Sequence, residues 1–127
     1  MLASIASICA GASAGALLRW LLSASLNALW PSVPLGTLIA NLSGGYLIGL
    51  AFAWISANPA LPPELRLLVV TGFLGGLTTF STFSVEVVDA AQRGNLSSAA
   101  AIVVLHLAGS LACTVAGIAT YQWLRPA

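Results

Sequence analysis

The chain contains no lysine, and its four arginines stand against three acids, for a charged content of 6%. An average soluble domain carries roughly 25%. With a net charge of +1 there is no basic face for nucleic acid, and the lack of lysine excludes a polybasic anchor for a lipid surface. The two cysteines, Cys9 and Cys113, lie in separate apolar runs without the CxxC spacing of a metal or redox centre. They read as inert thiols that pack as small hydrophobes. There is no Walker loop, no HExxH, no DxDxDG calcium loop, and no Ser/His/Asp set that can assemble. Nothing points to an enzyme.

What is present is hydrocarbon: 59% of the 127 residues are hydrophobic. At about 20 apolar residues per crossing, the chain holds a handful of membrane helices and no extramembrane domain. The expected fold is therefore an all-α integral membrane protein, a single domain over residues 1–127. Met1-Leu2-Ala3-Ser4 lacks the positive n-region of a cleaved signal peptide, so the first apolar run is expected to be retained as a helix.

Four spans are expected at about 2–29, 35–57, 62–93 and 96–124. Trp30-Pro31-Ser32-Val33-Pro34 closes the first with an interfacial aromatic and two helix breakers. Pro62-Pro63-Glu64 supplies first-turn prolines and a carboxylate for the N-terminal dipole of the third, and Gly94 caps its end. Asp89 and Arg93 form an exposed i, i+4 pair. Trp123 and Arg125 anchor the far interface. The pairs Gly11/Gly15, Gly45/Gly49 and Gly72/Gly76 are small-xxx-small patterns for close helix packing.

Orientation in a membrane follows Lys/Arg asymmetry between short loops, and here it is nearly absent. Arg66 and Arg125 fall on the side of the termini, Arg93 and, if it reaches that interface, Arg19 on the other. Such a chain can insert both ways, which permits an antiparallel two-fold dimer.

The third span is interrupted by Gly72-Phe73-Leu74-Gly75-Gly76-Leu77-Thr78-Thr79-Phe80-Ser81-Thr82-Phe83-Ser84. A broken helix survives in lipid only where protein or a cavity supplies partners for the freed backbone. The run is expected to line something. Phe80 and Phe83 stand at i, i+3, interleaved with Ser81 and Thr82. Two rings are usually packing, but a ring edge is positive, so edges beside hydroxyl and amide donors can hold a small anion without a fixed cation. On the fourth span His106, Ser110 and Thr114 form an i, i+4, i+8 stripe. It is either a polar track or two hydroxyls bonded back to their own helix.

Thr37 and Asn41 share a face of the second span. Asn41 is either interhelical glue or a ligand for a permeating species. Glu86 is the one acid placed to reach into the membrane, as a functional carboxylate or as one paired near a helix end. Arg19 either attracts anions at an entrance or snorkels and serves assembly. The glycosylation patterns at Asn41-Leu42-Ser43 and Asn95-Leu96-Ser97 are discounted, one lying in a span and the other against a short loop.

The run from Gly72 through Glu86 resembles the signature of the Fluc fluoride channels, also called the CrcB family. Gly11 to Trp20 and Gly36-Thr37-Leu38 through Asn41 to Gly49 resemble its first- and second-helix patterns. The resemblance implies a dual-topology homodimer in the bacterial inner membrane, with two antiparallel pores that pass fluoride passively out of the cytoplasm and reject chloride. It implies phenyl-lined fluoride sites at Phe80 and Phe83, donors at Asn41, Ser81 and Thr82, a track through His106, Ser110 and Thr114, and Thr37 and Glu86 nearer its ends. It also implies a sodium ion at the dimer centre, held by the backbone carbonyls of Gly75 and Thr78 from each subunit. His106 departs from the tyrosine many relatives have there, and only weak pH dependence is expected of it. Two other readings remain open. One is a small dual-topology multidrug exporter, which would need Glu86 as its proton-exchanging acid. The other is a structural subunit, which leaves the polar stripes unexplained.

Overall fold

The computed structural model describes residues 1–125, and every regular element among them is helical. Four helical stretches are long and apolar enough to cross a membrane: Leu2–Leu29, Leu35–Ala57, Pro63–Gln92 and Leu96–Leu124. Large apolar side chains such as Leu2, Leu96 and Leu111 stand outward, as they do where the surrounding solvent is lipid.

Helix α1 (Leu2–Leu26) continues into a 3₁₀ turn, Asn27–Leu29, before the proline-bearing loop. Helix α2 (Leu35–Ala57) follows Pro34, which leaves its first amides without intrahelical acceptors. Asn27 Oδ1 meets that need, accepting from the N–H of Gly36 at 2.8 Å and of Thr37 at 3.2 Å. The next loop is closed by Arg66, whose Nη2 donates to the carbonyl of Pro59 at 2.6 Å.

The third span is assembled from pieces. A short α3 (Pro63–Arg66) carries Pro63 at its start and Glu64 in its first turn, then gives way to π-helical turns over Leu67–Leu74. One turn of α4 (Gly75–Leu77) ends at the extended residues Thr78 and Thr79, and α5 (Phe80–Gln92) resumes the helix. The break falls inside the glycine and hydroxyl run, as expected. The π-helical stretch has no counterpart in the periodicity of the sequence. Such turns concentrate at functional positions, and here they bring the third span onto α1. A Cβ on Gly15 would collide with the carbonyl oxygen of Phe73, so only glycine permits this approach.

Gly94 has φ +77° and ends the third span, the left-handed cap that glycine tolerates best. Arg93 Nε lies 2.9 Å from Asp89 Oδ2 in the expected exposed pair. Helix α6 (Leu96–Leu124) starts from Asn95, whose side chain accepts from Ser98 N–H at 3.2 Å. It packs along α2, where a Cβ on Gly117 would strike the carbonyl oxygen of Tyr46. The interior divides into two apolar clusters, one around Phe83, Leu38 and Ile102, the other around Ala40, Leu74 and Leu77. The helix break and its polar partners lie beside both, since Phe83 follows the break and Leu77 precedes it.

Candidate ion pathway

Breaking the third span strands backbone groups that lipid cannot satisfy, and one side chain of α2 recovers two of them. Thr79 N–H donates to Asn41 Oδ1 at 2.7 Å, and Asn41 Nδ2 donates back to the Thr79 carbonyl at 3.0 Å. The amide thereby takes the place of a turn of helix. The hydroxyl of Thr79 accepts from Thr82 N–H at 3.1 Å, the N-cap bond that starts α5, and donates to Thr82 Oγ1 at 2.9 Å. Ser81 Oγ lies 3.3 Å from the same hydroxyl. Arg19, from α1, donates from Nε to the carbonyl of Gly76 at 3.0 Å, where the first half of the span runs out. A cation at the negative end of a half-helix is favourably placed.

Asn41 Nδ2 also lies 3.0 Å from His106 Nδ1. The His106 ring is buried and stacks on Phe83 with centroids 4.9 Å apart and planes at 29°. Phe80 meets Phe83 at 5.2 Å and 62°, an edge-type contact, so the two phenyl rings touch each other. Phe83 is 7% exposed and Phe80 72%. Together Asn41, Phe80, Phe83, His106 and Ser110 line a cavity of about 500 Å³, with Gly75 and Thr78 on its wall. His106 Nε2 is buried and has no hydrogen-bond partner.

The remaining polar positions lie around this cavity rather than on its wall. Thr37, fully buried one turn before Asn41, donates its hydroxyl to Glu86 Oε1, while Glu86 Oε2 is buried without a partner. That pair forms a second polar cluster beside the first along α2. Thr114 Oγ1 bonds to the carbonyls of Ser110 (2.9 Å) and Gly45 (3.0 Å), which combines the bond back to its own helix with one across to α2. Ser81, Thr82 and Arg19 likewise do not touch the cavity wall. No cluster of three or more His, Cys, Asp or Glu residues able to hold a metal occurs among the described residues.

Two residues central to this arrangement were not singled out from the sequence. Thr79 is the hub of the break, and its signal was available: a threonine three residues before Thr82 at the start of a resumed helix is an N-cap pattern. Asn27 caps α2 from outside that helix, which no local pattern reveals.

The chain matches the family model described as CrcB-like protein, Camphor Resistance (CrcB), over residues 6–118. It is 59% identical over 122 residues to the fluoride-specific ion channel FluC of Chromobacterium violaceum, covering 96% of this chain and 97% of that protein. It is 57% identical over 125 residues to the FluC of Tolumonas auensis, covering 98% of each. With the FluC of Burkholderia thailandensis the identity is 56% over 128 residues and the coverage complete on both sides. The four apolar spans and the match over nearly the whole chain agree: this is a multi-pass membrane protein and belongs to the CrcB family.

Proposed function

We propose that the chain is a fluoride-selective channel that lets fluoride leave the cytoplasm passively across the bacterial inner membrane and so relieves its toxicity. The observation that carries this reading is the cavity beside the helix break. Its lining includes Phe80, Phe83, Ser110 and His106, whose buried Nε2 has no hydrogen-bond partner, with no fixed cation on its wall. Fluoride is small and strongly hydrated, so it crosses only where donors replace its water at each step. Several modest donors suit that need, because a strong cation would hold the ion too long for conduction. In this reading Phe80 and Phe83 offer ring edges, and Ser110 carries the track along α6. Ser81, Thr82 and Thr114, set back from the cavity, shape the break and the α2–α6 seam. The Thr37–Glu86 pair marks the next station along α2. Chloride is larger and a weaker hydrogen-bond acceptor, and gains less from such donors.

The same reading includes a second copy of the chain in the opposite orientation. Phe80 is 72% exposed although it lines the cavity, so the site is open on one face and a partner subunit would close it. The sparse and nearly balanced arginines favour neither orientation.

A sodium ion between the subunits fits the residues present. In a regular helix the carbonyls of Gly75 and Thr78 would accept from the N–H groups of Thr79 and Thr82. Those amides are instead given to Asn41 Oδ1 and to Thr79 Oγ1. The intervening Gly76 carbonyl is taken by Arg19. Two oxygens from each subunit would offer a hard cation four ligands. The ion would neutralise the carbonyls at the break and hold the two copies together.

The exporter reading has lost its support. Glu86 is engaged with Thr37, and the relatives named above are ion channels rather than transporters or enzymes. Expression in a bacterial strain hypersensitive to fluoride is the test in cells. Restored growth in fluoride, with Phe83→Ala unable to restore it, is expected. Growth no better than with an empty vector would contradict the reading.

A further inference from the structure

From the sequence Asn41 is either interhelical glue or a ligand for a permeating species, yet the hydrogen bonds around it leave no N–H to give. Its amide orientation is fixed by backbone. Oδ1 faces the Thr79 N–H at 2.7 Å and Nδ2 faces the Thr79 carbonyl at 3.0 Å. Exchanging the two would set donor against donor and acceptor against acceptor. With Nδ2 so placed, its second N–H points to His106 Nδ1 at 3.0 Å, and a ring nitrogen that receives a proton cannot carry one. The proton of neutral His106 therefore sits on Nε2. That nitrogen is buried and has no partner. Native structures seldom leave a buried donor unmet without a reason. His106 lines the cavity.

We propose that Asn41 is a positioning residue: by clamping the backbone of Thr79 it fixes His106 as the Nε2–H tautomer, so that the ring presents a proton to the anion route. The inference rests on the fluoride reading for the identity of the anion, but not for the tautomer. It assigns the three elements distinct parts. The break supplies a backbone N–H and C=O as a template, α2 reads the template with an amide, and α6 displays the result as a single directed donor. The stacking of the ring on Phe83 holds its plane. Imidazole with the proton on the other nitrogen would offer fluoride a lone pair and repel it.

The test uses the full chain with ¹⁵N-labelled histidine, where the single histidine makes the ring signals unambiguous. With asparagine side chains labelled as well, the protein in lipid should show a protonated-type shift at Nε2 and an unprotonated-type shift at Nδ1. A through-hydrogen-bond ¹⁵N–¹⁵N coupling should join Nδ1 to Asn41 Nδ2. Added sodium fluoride should move the Nε2 signal and leave Nδ1 nearly still. In Asn41→Asp, whose carboxylate attracts a proton, the ring proton should move to Nδ1, and fluoride flux should fall roughly tenfold or more with the donor turned away.

A proton on Nδ1 in the unaltered protein, an even mixture of tautomers, or a proton that stays on Nε2 in Asn41→Asp would overturn the proposal. If Asn41→Asp fails to fold, the coupling and the fluoride titration of the unaltered chain decide alone. Intact fluoride flux with Nδ1–H would defeat this inference and spare the channel reading. Absent flux with the Nε2–H ring in place would defeat the channel reading and with it the ring's role toward fluoride.

Discussion

At the residue scale, three side chains divide the work of the break: Asn41 satisfies Thr79, Thr79 caps α5, and Arg19 closes the end of α4. Replacing Thr79 by valine keeps the shape and removes the capping oxygen, and is expected to cost about 1 kcal/mol in a denaturation series. His106→Phe keeps the ring stack on Phe83 but deletes the N–H. Fluoride efflux should then drop roughly tenfold, since one good hydrogen bond to an ion is worth about 1.5–3 kcal/mol. The residue types were legible because polar groups are rare in so apolar a chain, and each one invites a partner. Their pairing was not. Whether Asn41 faced an ion or a backbone depended on where Thr79 lay, and no spacing within α2 contains that information. The i, i+4, i+8 stripe on α6 was real as a helical face, yet it divided in space: His106 and Ser110 line the cavity, while Thr114 ties α6 to α2.

At the level of elements, the third span is the one that departs from a plain crossing. The break was visible in the glycines and hydroxyls of the run from Gly72 to Ser84, and within that run it narrows to the extended residues Thr78 and Thr79. The π-helical turns over Leu67–Leu74, which lie closely against α1, were not visible, because the glycine and apolar pattern there is equally compatible with a plain α-helix. Two glycines separate the effects. Gly94→Ala meets nothing within 4 Å but must hold φ +77°, so it should cost about 1–2 kcal/mol. Gly15→Ala places a methyl group on the Phe73 carbonyl oxygen, and overpacking of that kind costs about 1–3 kcal/mol or more. Thermal unfolding in detergent should therefore show Gly15→Ala the less stable of the two, and Gly94→Ala should retain its fluoride flux. The reverse order would show that α1 and the third span are not locked as described.

On the scale of the whole molecule, the four spans followed from hydropathy, prolines and interfacial tryptophans, and composition alone placed the chain in a membrane. The proposed partner subunit does not follow from composition. It is inferred from balanced arginines and from a cavity left open beside Phe80. Tags at either terminus should be reached from both sides of the membrane in comparable amounts. A single orientation would contradict the antiparallel pair. Prolonged replacement of sodium by a bulky organic cation should lower fluoride flux without dispersing the fold, if the Gly75 and Thr78 carbonyls share an ion.

Fluoride efflux from liposomes bearing the purified chain tests the central claim most directly, with valinomycin and a potassium gradient to balance charge. The account predicts rapid release of fluoride, retention of chloride under the same conditions, and loss of the fluoride signal in Phe80→Ala. Equal release of chloride, or no release of fluoride, would contradict it.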